Sequence, residues 1–432
     1  MRPTAFLFWL ATALCCRAAG PAPDRATRWR EDLVFFERHF TTGHCGPKQM
    51  IQFPLTWVFP CHQADFTKLY DAAAFHAEIA ALEAGAGELS DAEISLRLMK
   101  LVARAHVGHT FVGMPRFAPF HRLPVQLGWF AEGLAVTGAD PQYAKAIGAR
   151  VLRVGRLEPD ALLAAAAPYI SYENDAWLRT ASPNHLSVVE VLAAAGAMAA
   201  GRSDVDFTLA RPGGAAFTVT VAPGNPQSWK MVGAGEVLHI PTPLYRKNPD
   251  RYYWYEYLAE AKTLYIQYNR CANDPKQRFG DFARGVLAFA DAHPVARTVI
   301  DLRFNGGGNS LILHSLQSGL KARAALRDHV VVLIGPGTFS AAQDNAIELR
   351  RELHATLVGE ATGERPNGYG EVKWFRLPHA RLFVQYSTRY QRMVKDGDPS
   401  ALEPDVRAAR TLEDALAGRD AALEAAMRQI KP

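Results

Sequence analysis

Two strand-to-loop junctions in the C-terminal half of the chain carry residue types that can do chemistry. One is Gly335-Pro336-Gly337-Thr338-Phe339-Ser340-Ala341-Ala342-Gln343, which leads from the β-branched run Val330 to Ile334 into a helical stretch continuing through Leu353. A serine at such a helix start lies where unpaired N–H groups and the macrodipole favour an anion, and where its neighbour's N–H can serve an oxyanion. Serine is also a preferred N-cap, so Ser340 taken alone leaves capping and nucleophilic attack both open. The other junction is Asp301-Leu302-Arg303-Phe304-Asn305-Gly306-Gly307-Gly308. Three glycines after a buried strand expose backbone N–H groups to a ligand, although a turn needing positive φ explains them as well. Other patterns carry less. Ser318-Gly319-Leu320-Lys321 matches Ser-x-x-Lys without the companion motifs, and Gly335-Pro336-Gly337 lacks the third glycine of a dinucleotide fingerprint. The aromatic run from Tyr252 to Tyr257 reads as packing or peptide-contact surface. The sequence has no His-Glu-x-x-His and no Cys-x-x-Cys, so no metal and no cofactor is expected.

The elements that must position these residues follow from periodicity. From Trp29 to about Leu101, apolar residues such as Leu33, Phe36, Phe40, Phe75, Ile79, Leu82, Ile94, Leu98 and Leu101 recur at helical steps. This predicts an α-rich region over 24–119, interrupted from His44 to Asp65 by a proline-bearing loop. Short β-type runs then follow, among them Leu123 to Leu127, Arg150 to Val154 and Phe217 to Val221, which predict a small β-rich domain over 120–223. Pro223-Gly224-Asn225-Pro226 signals a linker. Over 236–432 strands and helices alternate: Thr263 to Tyr268, a helix over Arg278 to His293, Thr298 to Leu302 and Val330 to Ile334, then paired strands around Pro378. Such alternation predicts an α/β core.

Composition narrows the classes further. The chain has 432 residues, 49% hydrophobic and 21% charged, enough to bury substantial cores. A net charge of +5, with no run of five or six like charges, gives no nucleic-acid footprint, and no nucleic-acid partner is expected. The start reads as a signal peptide over residues 1–20: Arg2, an apolar run from Ala5 to Cys16, then Ala18-Ala19-Gly20. That run falls short of the ~20 residues needed to span a bilayer, so no stable membrane insertion is expected after its removal. The expectation is an exported protein, periplasmic or extracellular. Of five cysteines, Cys45 and Cys61 can close a short loop in an oxidising compartment, leaving Cys271 free.

A set of ordered motifs changes the weight of the two junctions. Val299-Ile300-Asp301-Leu302-Arg303 with Asn305 to Gly308, Thr338 to Ala342, Val358-Gly359-Glu360-Ala361-Thr362-Gly363 and Glu403-Pro404-Asp405-Val406 resembles, in order, the motifs of the tail-specific (C-terminal-processing) serine proteases, which share a core with the tricorn proteases. The segment Ile147 to Gly155 is similar, more weakly, to the PDZ-like substrate domain of that family. The resemblance implies an α/β fold with a crotonase-like ββα core, an N-terminal helical region and a small β-rich PDZ-like domain. It also implies Ser340 as nucleophile, with the N–H groups of Ala341 and of Gly307 or Gly306 as oxyanion hole.

One departure bears on the base. The bacterial branch is expected to carry a lysine after its Gly-Glu-x-Thr segment, and here the stretch is Gly363-Glu364-Arg365-Pro366-Asn367-Gly368. Arg365 accepts no proton at working pH, so a serine–lysine dyad is not expected. The tricorn-like branch takes a histidine from the N-terminal region, and Ala105-His106-Val107-Gly108-His109-Thr110 resembles its Asp-x-His-Thr segment with Val107 in place of the aspartate. This resemblance implies His109 as base, with a histidine serving only the helix end as the competing account. The orienting carboxylate is expected just before the Pro-Asp-Val motif, at Asp398 first and Glu403 second, although Asp398 also suits an ordinary turn beside Gly397 and Pro399. The sequence thus leads to an exported serine endopeptidase acting on a peptide or unfolded protein substrate, including C-terminal segments. The rival is a catalytically degenerate relative that binds peptide or small apolar ligands without turnover.

Overall fold

The computed structural model describes residues 23–42, 66–115, 119–199 and 201–428. The expected leader and the Cys45–Cys61 pairing lie outside them. Among the described residues, no helix is long and apolar enough to cross a membrane.

Among the described residues, the long helices Arg25–Thr42, Ala72–Gly85 and Asp91–Ala103 and the short helix Phe66–Leu69 precede the first strand. Their starts are set locally. Asp71 accepts the Ala74 N–H, and Ser90 with Glu93 forms a reciprocal capping box. The apolar stripes meet in one core, where Leu33, Phe36, Phe75, Ile79, Leu82, Ile94 and Leu98 are essentially inaccessible.

An antiparallel sheet follows, in the spatial order Val125–Phe130, Gly133–Ala139, Arg150–Val154, Val205–Ala210, Phe217–Val221. Alternation along Val205–Ala210 turns Val205, Phe207 and Leu209 inward, as a half-buried strand requires. Helix Asp175–Leu186 packs on the end strand Val125–Phe130.

A second, six-stranded sheet holds the C-terminal half, in the order Val406–Arg407, Thr356–Gly359, Val330–Ile334, Arg297–Asp301, Thr263–Tyr268, Tyr253–Leu258. The first five strands are parallel and the last pairs antiparallel. Every residue of Thr263–Tyr268, Arg297–Asp301 and Val330–Ile334 is buried. That fits a parallel sheet covered on both faces. Helices Phe279–Ala292, His314–Lys321 and Ala341–Leu353 cover one face, and Ala422, Ala425 and Ala426 of helix Ala421–Arg428 cover the other.

Two features of this topology position the site. Strands ending at Asp301, Ile334 and Gly359 are adjacent and parallel, so the loops leaving their carboxyl ends converge, as they do in open α/β sheets generally. In addition, the hairpin Asn367–Arg376 and Phe383–Arg392 leaves the third of these loops and buries Leu377, Leu382 and Val384 against the N-terminal helices. Strand Phe111–Val112 pairs with that hairpin, Phe111 opposite Gln385 and Val112 opposite Val384. The far N-terminal region is thereby drawn to the same end of the sheet.

Candidate active site

The glycine loop after Asp301 is fastened from below. Asn305 is fully buried; its amide group donates to the Tyr268 carbonyl at 2.9 Å, and its Oδ1 accepts the Gly307 N–H at 2.9 Å. Cys271, a free buried cysteine, donates its N–H to the Gly307 carbonyl at 3.1 Å, and burial pushes its thiol up to about 11. Arg303 reaches back to Asp301 at 2.6 Å and forward to Asp420 at 2.7 Å. Gly307 adopts φ +100°, and a Cβ there would stand 2.6 Å from the Cβ of Ser340. Only glycine lets the loop lie this close to the serine.

Ser340 itself holds φ 55° and ψ −134°, a backbone conformation that non-glycine residues rarely adopt. Such strain costs ~1–3 kcal/mol and persists only when neighbours over-determine it. The neighbours are visible: the Thr338 hydroxyl donates to the Leu302 carbonyl at 2.9 Å, the Phe339 N–H donates to the Asn305 carbonyl at 3.1 Å, and the Ser340 N–H donates to a carboxylate oxygen of Glu364. The serine side chain makes no capping bond to its helix. Ala341 is the first helical residue, so its N–H is one of the donors that an α-helix leaves without an internal partner.

His109 arrives from the N-terminal region. The side-chain amide of Gln385 donates to its carbonyl at 3.0 Å, and the Thr110 hydroxyl accepts the Ser387 N–H at 3.0 Å, so the loop is held by the hairpin that receives Phe111–Val112. Its imidazole is buried and lies 4.6 Å, ring to ring, from Phe339, the residue before the serine. Nδ1 faces Glu364 Oε1 at 3.4 Å and makes no hydrogen bond of ordinary geometry among the described residues. Contacts of this kind are often long before substrate arrives. Burial lowers the imidazole to about 4, which keeps it neutral near pH 7.

Glu364 therefore touches both partners, with one oxygen on the Ser340 N–H and the other toward His109. Its loop is folded by Thr362, whose hydroxyl contacts the Gln343 side chain and accepts the Leu402 N–H at 3.0 Å. Gly363 permits the turn, since a Cβ there would meet the Trp177 ring at 2.7 Å. Burial, and next the charge of Glu173, push the Glu364 carboxyl well above its usual range. Glu173 accepts the N–H of Gly108 and of Arg365, each at 3.0 Å. His109, Glu173 and Glu364 form a group with ligand atoms within 4.8 Å of one another, but both carboxylates already serve backbone N–H groups there.

The structure brings Gly307 against Ser340 and Ala341, joins His109 to this loop through Glu364 and the Phe339 ring, and leaves Asp398 and Glu403 outside the group. Asp398 is more than half exposed and bound by the Arg365 guanidinium. Glu403 is also more than half exposed and accepts from Arg407 at 3.0 Å. The expectation that Asp398, or failing it Glu403, faces the imidazole is corrected to Glu364. The same turn reverses the assignment because Arg365, the residue after Glu364, points outward and claims Asp398 while Glu364 points inward. Gly307 also differs from expectation, because its N–H is given to Asn305; Gly306 meets open space at its Cβ position.

A cleft of about 750 Å³ lies between the strand Val125–Phe130, helix Asp175–Leu186 and the turn Gly335-Pro336-Gly337; Ser340, His109, Glu364 and Gly307 are not among its lining residues. Leu127, Trp129, Phe130 and Phe304 supply apolar wall, and Arg179 lies over the Trp129 ring at 4.4 Å.

No protein family and no curated protein matches the sequence. Solved structures do match the fold. The structure of mature CPAF complexed with lactacystin aligns with TM-score 0.60 at 12% identity, covering 93% of this chain and 97% of that one. A crystal structure of mature CPAF aligns with TM-score 0.60 at 12% identity over 93% and 96%. The photosystem II D1 C-terminal processing protease aligns at 13% identity over 92% and 96%, with TM-score 0.39. The two CPAF structures share the mixed α/β fold of this chain over nearly its whole length.

Proposed function

We propose that the chain is an exported serine endopeptidase that cleaves unfolded or C-terminal peptide segments through an acyl-enzyme on Ser340. The observation that carries this reading is the Glu364 carboxylate, which spans the Ser340 N–H and His109 Nδ1 and so ties a strained serine to a neutral buried imidazole. A serine merely capping its helix would use its hydroxyl on a backbone N–H, and Ser340 does not.

In this mechanism Glu364 fixes the imidazole with its proton on Nδ1, leaving Nε2 as acceptor. His109 takes the Ser340 proton as Oγ bonds to the scissile carbonyl carbon, and the carbonyl π pair moves to oxygen. The resulting oxyanion lies against the Ala341 N–H and the Gly306–Gly307 turn, where Gly307 shares or exchanges its bond to Asn305. His109 then gives the proton to the departing amine as the C–N bond breaks, and water repeats the sequence on the ester. The cleft beside the Val125–Phe130 strand, lined by aromatic and charged side chains alike, offers the substrate chain a surface leading toward the serine loop at Gly335–Gly337, since an extended peptide can lie along an end strand with its side chains in pockets.

The test is labelling of the mature protein with a serine-directed fluorophosphonate, together with hydrolysis of a denatured protein substrate. Labelling and hydrolysis that vanish in Ser340→Ala and in His109→Ala support the proposal. Peptide binding that survives Ser340→Ala, with no labelling and no hydrolysis at any pH, establishes the non-turnover alternative instead.

A further inference from the structure

Glu173 belongs to neither the nucleophile loop, the histidine loop nor the Glu364 loop, yet it touches two of them. Its Oε1 accepts the N–H of Gly108, next to His109, and its Oε2 accepts the N–H of Arg365, next to Glu364, both at 3.0 Å. From this geometry, and resting on the triad proposed above, we infer that Glu173 is a positioning residue whose single carboxylate clamps the His109 and Glu364 loops to each other.

The clamp is itself mounted on a fixed support. Asn174 caps helix Asp175–Leu186 by accepting the Trp177 N–H at 2.9 Å, while its amide group donates to the carbonyls of Thr362 at 3.1 Å and Ser400 at 2.8 Å. Trp177 stacks on Phe339 at 4.1 Å between ring centroids. Glu173 is thus held at a helix start that also grips the chain on both sides of Glu364 and the residue before Ser340. A fold that needed only a loop staple could place a neutral acceptor here. Instead a second carboxylate stands near Glu364, and its charge helps push the Glu364 carboxyl up, an unfavourable arrangement that the two amide bonds offset. The charged and titratable groups facing Glu173 and Glu364 are His109, Arg365 and Asp344, the last on the first turn of the nucleophile helix. Deleting the Glu173 charge therefore acts on the His109–Glu364 pair as well as on loop geometry.

The experiment compares wild type, Glu173→Gln and Glu173→Asp in the full chain. A glutamine oxygen accepts one of the two N–H groups while its NH₂ confronts the other, so the loops separate. The expected result is a fall in kcat of about 10- to 100-fold, with KM within about threefold, since small misplacements cost that much. The acid limb of kcat/KM should move about 0.5–1 pH unit lower, because a negative charge beside the pair is gone. Glu173→Asp keeps the charge but is one methylene short, so its kcat falls while its acid limb stays at the wild-type position. Thermal unfolding checks that the variants are folded, and kcat is expressed per folded, phosphonate-titrated site. Wild-type kcat and an unmoved limb in folded Glu173→Gln overturn the inference, as does lost activity that is fully accounted for by lost folded protein. Should Glu173→Gln not fold, Glu173→Asp decides alone, wild-type kcat overturning the clamp. If the wild type is not labelled, the serine peptidase reading fails and this inference falls with it; if it is labelled, the result concerns Glu173 alone.

Discussion

Replacing Glu364 by glutamine separates the orienting role proposed for this carboxylate from any role in stability. Glu364 has one oxygen on the Ser340 N–H and the other facing His109 Nδ1 at 3.4 Å. A glutamine of the same shape keeps its carbonyl on the Ser340 N–H, because its NH₂ cannot accept. The NH₂ is then turned toward Nδ1 and donates to it, which moves the imidazole proton to Nε2. In that tautomer Nε2, the acceptor in the proposed mechanism, is a donor and cannot take the hydroxyl proton. Loss of tautomer control costs about 10⁴ in kcat, or ~5 kcal/mol of transition-state stabilisation. Folding should be unharmed or slightly improved, since burial disfavours the carboxylate charge that glutamine lacks. Asp398→Asn is the matched control. Its exposed bond to Arg365 is worth at most ~1 kcal/mol to stability, and activity should stay within about twofold of wild type. The assay is single-turnover acylation and steady-state hydrolysis of a peptide substrate, alongside thermal unfolding of both variants. If Glu364→Gln keeps a tenth of wild-type activity, or if Asp398→Asn proves the damaging change, the triad assigned to these residues is wrong.

Other expectations follow from the same contacts. Gly307→Ala should lose about 10²–10³ in kcat/KM, since a Cβ would stand 2.6 Å from that of Ser340 on a backbone with φ +100°; Gly306→Ala, with nothing within 4 Å, should remain within a few-fold. Activity should rise with pH along an acid limb as the His109–Glu364 pair sheds its second proton, because only the singly protonated pair leaves Nε2 free; a profile that falls with rising pH from 5 to 7 contradicts this. Stability has two opposing slopes. His109, lowered from 6.5 to about 4, contributes stability that is full above its unfolded value and lost as pH falls, ~2 kcal/mol between pH 7 and 5, whereas raised Glu364 gains stability over the same interval. Denaturant melts should therefore show Glu364→Gln more acid-sensitive than wild type. Arg303→Met should destabilise by ~3–5 kcal/mol and loosen the glycine loop, because fully buried Asp301 would keep only the Tyr265 hydroxyl of its side-chain partners; an unchanged melting temperature would refute that account.

What was legible in the sequence was what local chemistry writes there. The β-branched run ending at Ile334, the Gly-Pro-Gly turn and the following helix placed Ser340 at a strand-to-helix junction, and the structure has strand Val330–Ile334 and helix Ala341–Leu353 on either side of it. Its positive φ was not legible, because a strained backbone at a non-glycine residue depends on the bonds from Glu364 and Asn305 that enforce it. His109 could be reached only through resemblance. What delivers it is the pairing of Phe111–Val112 with a hairpin more than 250 residues later, a long-range register that periodicity does not encode. That Glu364 rather than Asp398 faces the imidazole is hidden from sequence for a related reason. Chain order made Asp398 attractive, but a loop's two faces are decided by which neighbour turns inward, and Arg365 takes Asp398 on the outer face. In the segment Gly363-Glu364-Arg365 the usable signal is the glycine rather than the absent lysine. A residue that must be glycine because the Pro336 carbonyl and the Trp177 ring press on it marks a loop folded tightly against the core, and the acid that follows such a glycine is a candidate for the inside. Glu173 offers no comparable mark, since its two partners are backbone amides and any sequence presents those. A carboxylate that acts on other loops through their N–H groups becomes visible only when the loops are already in place.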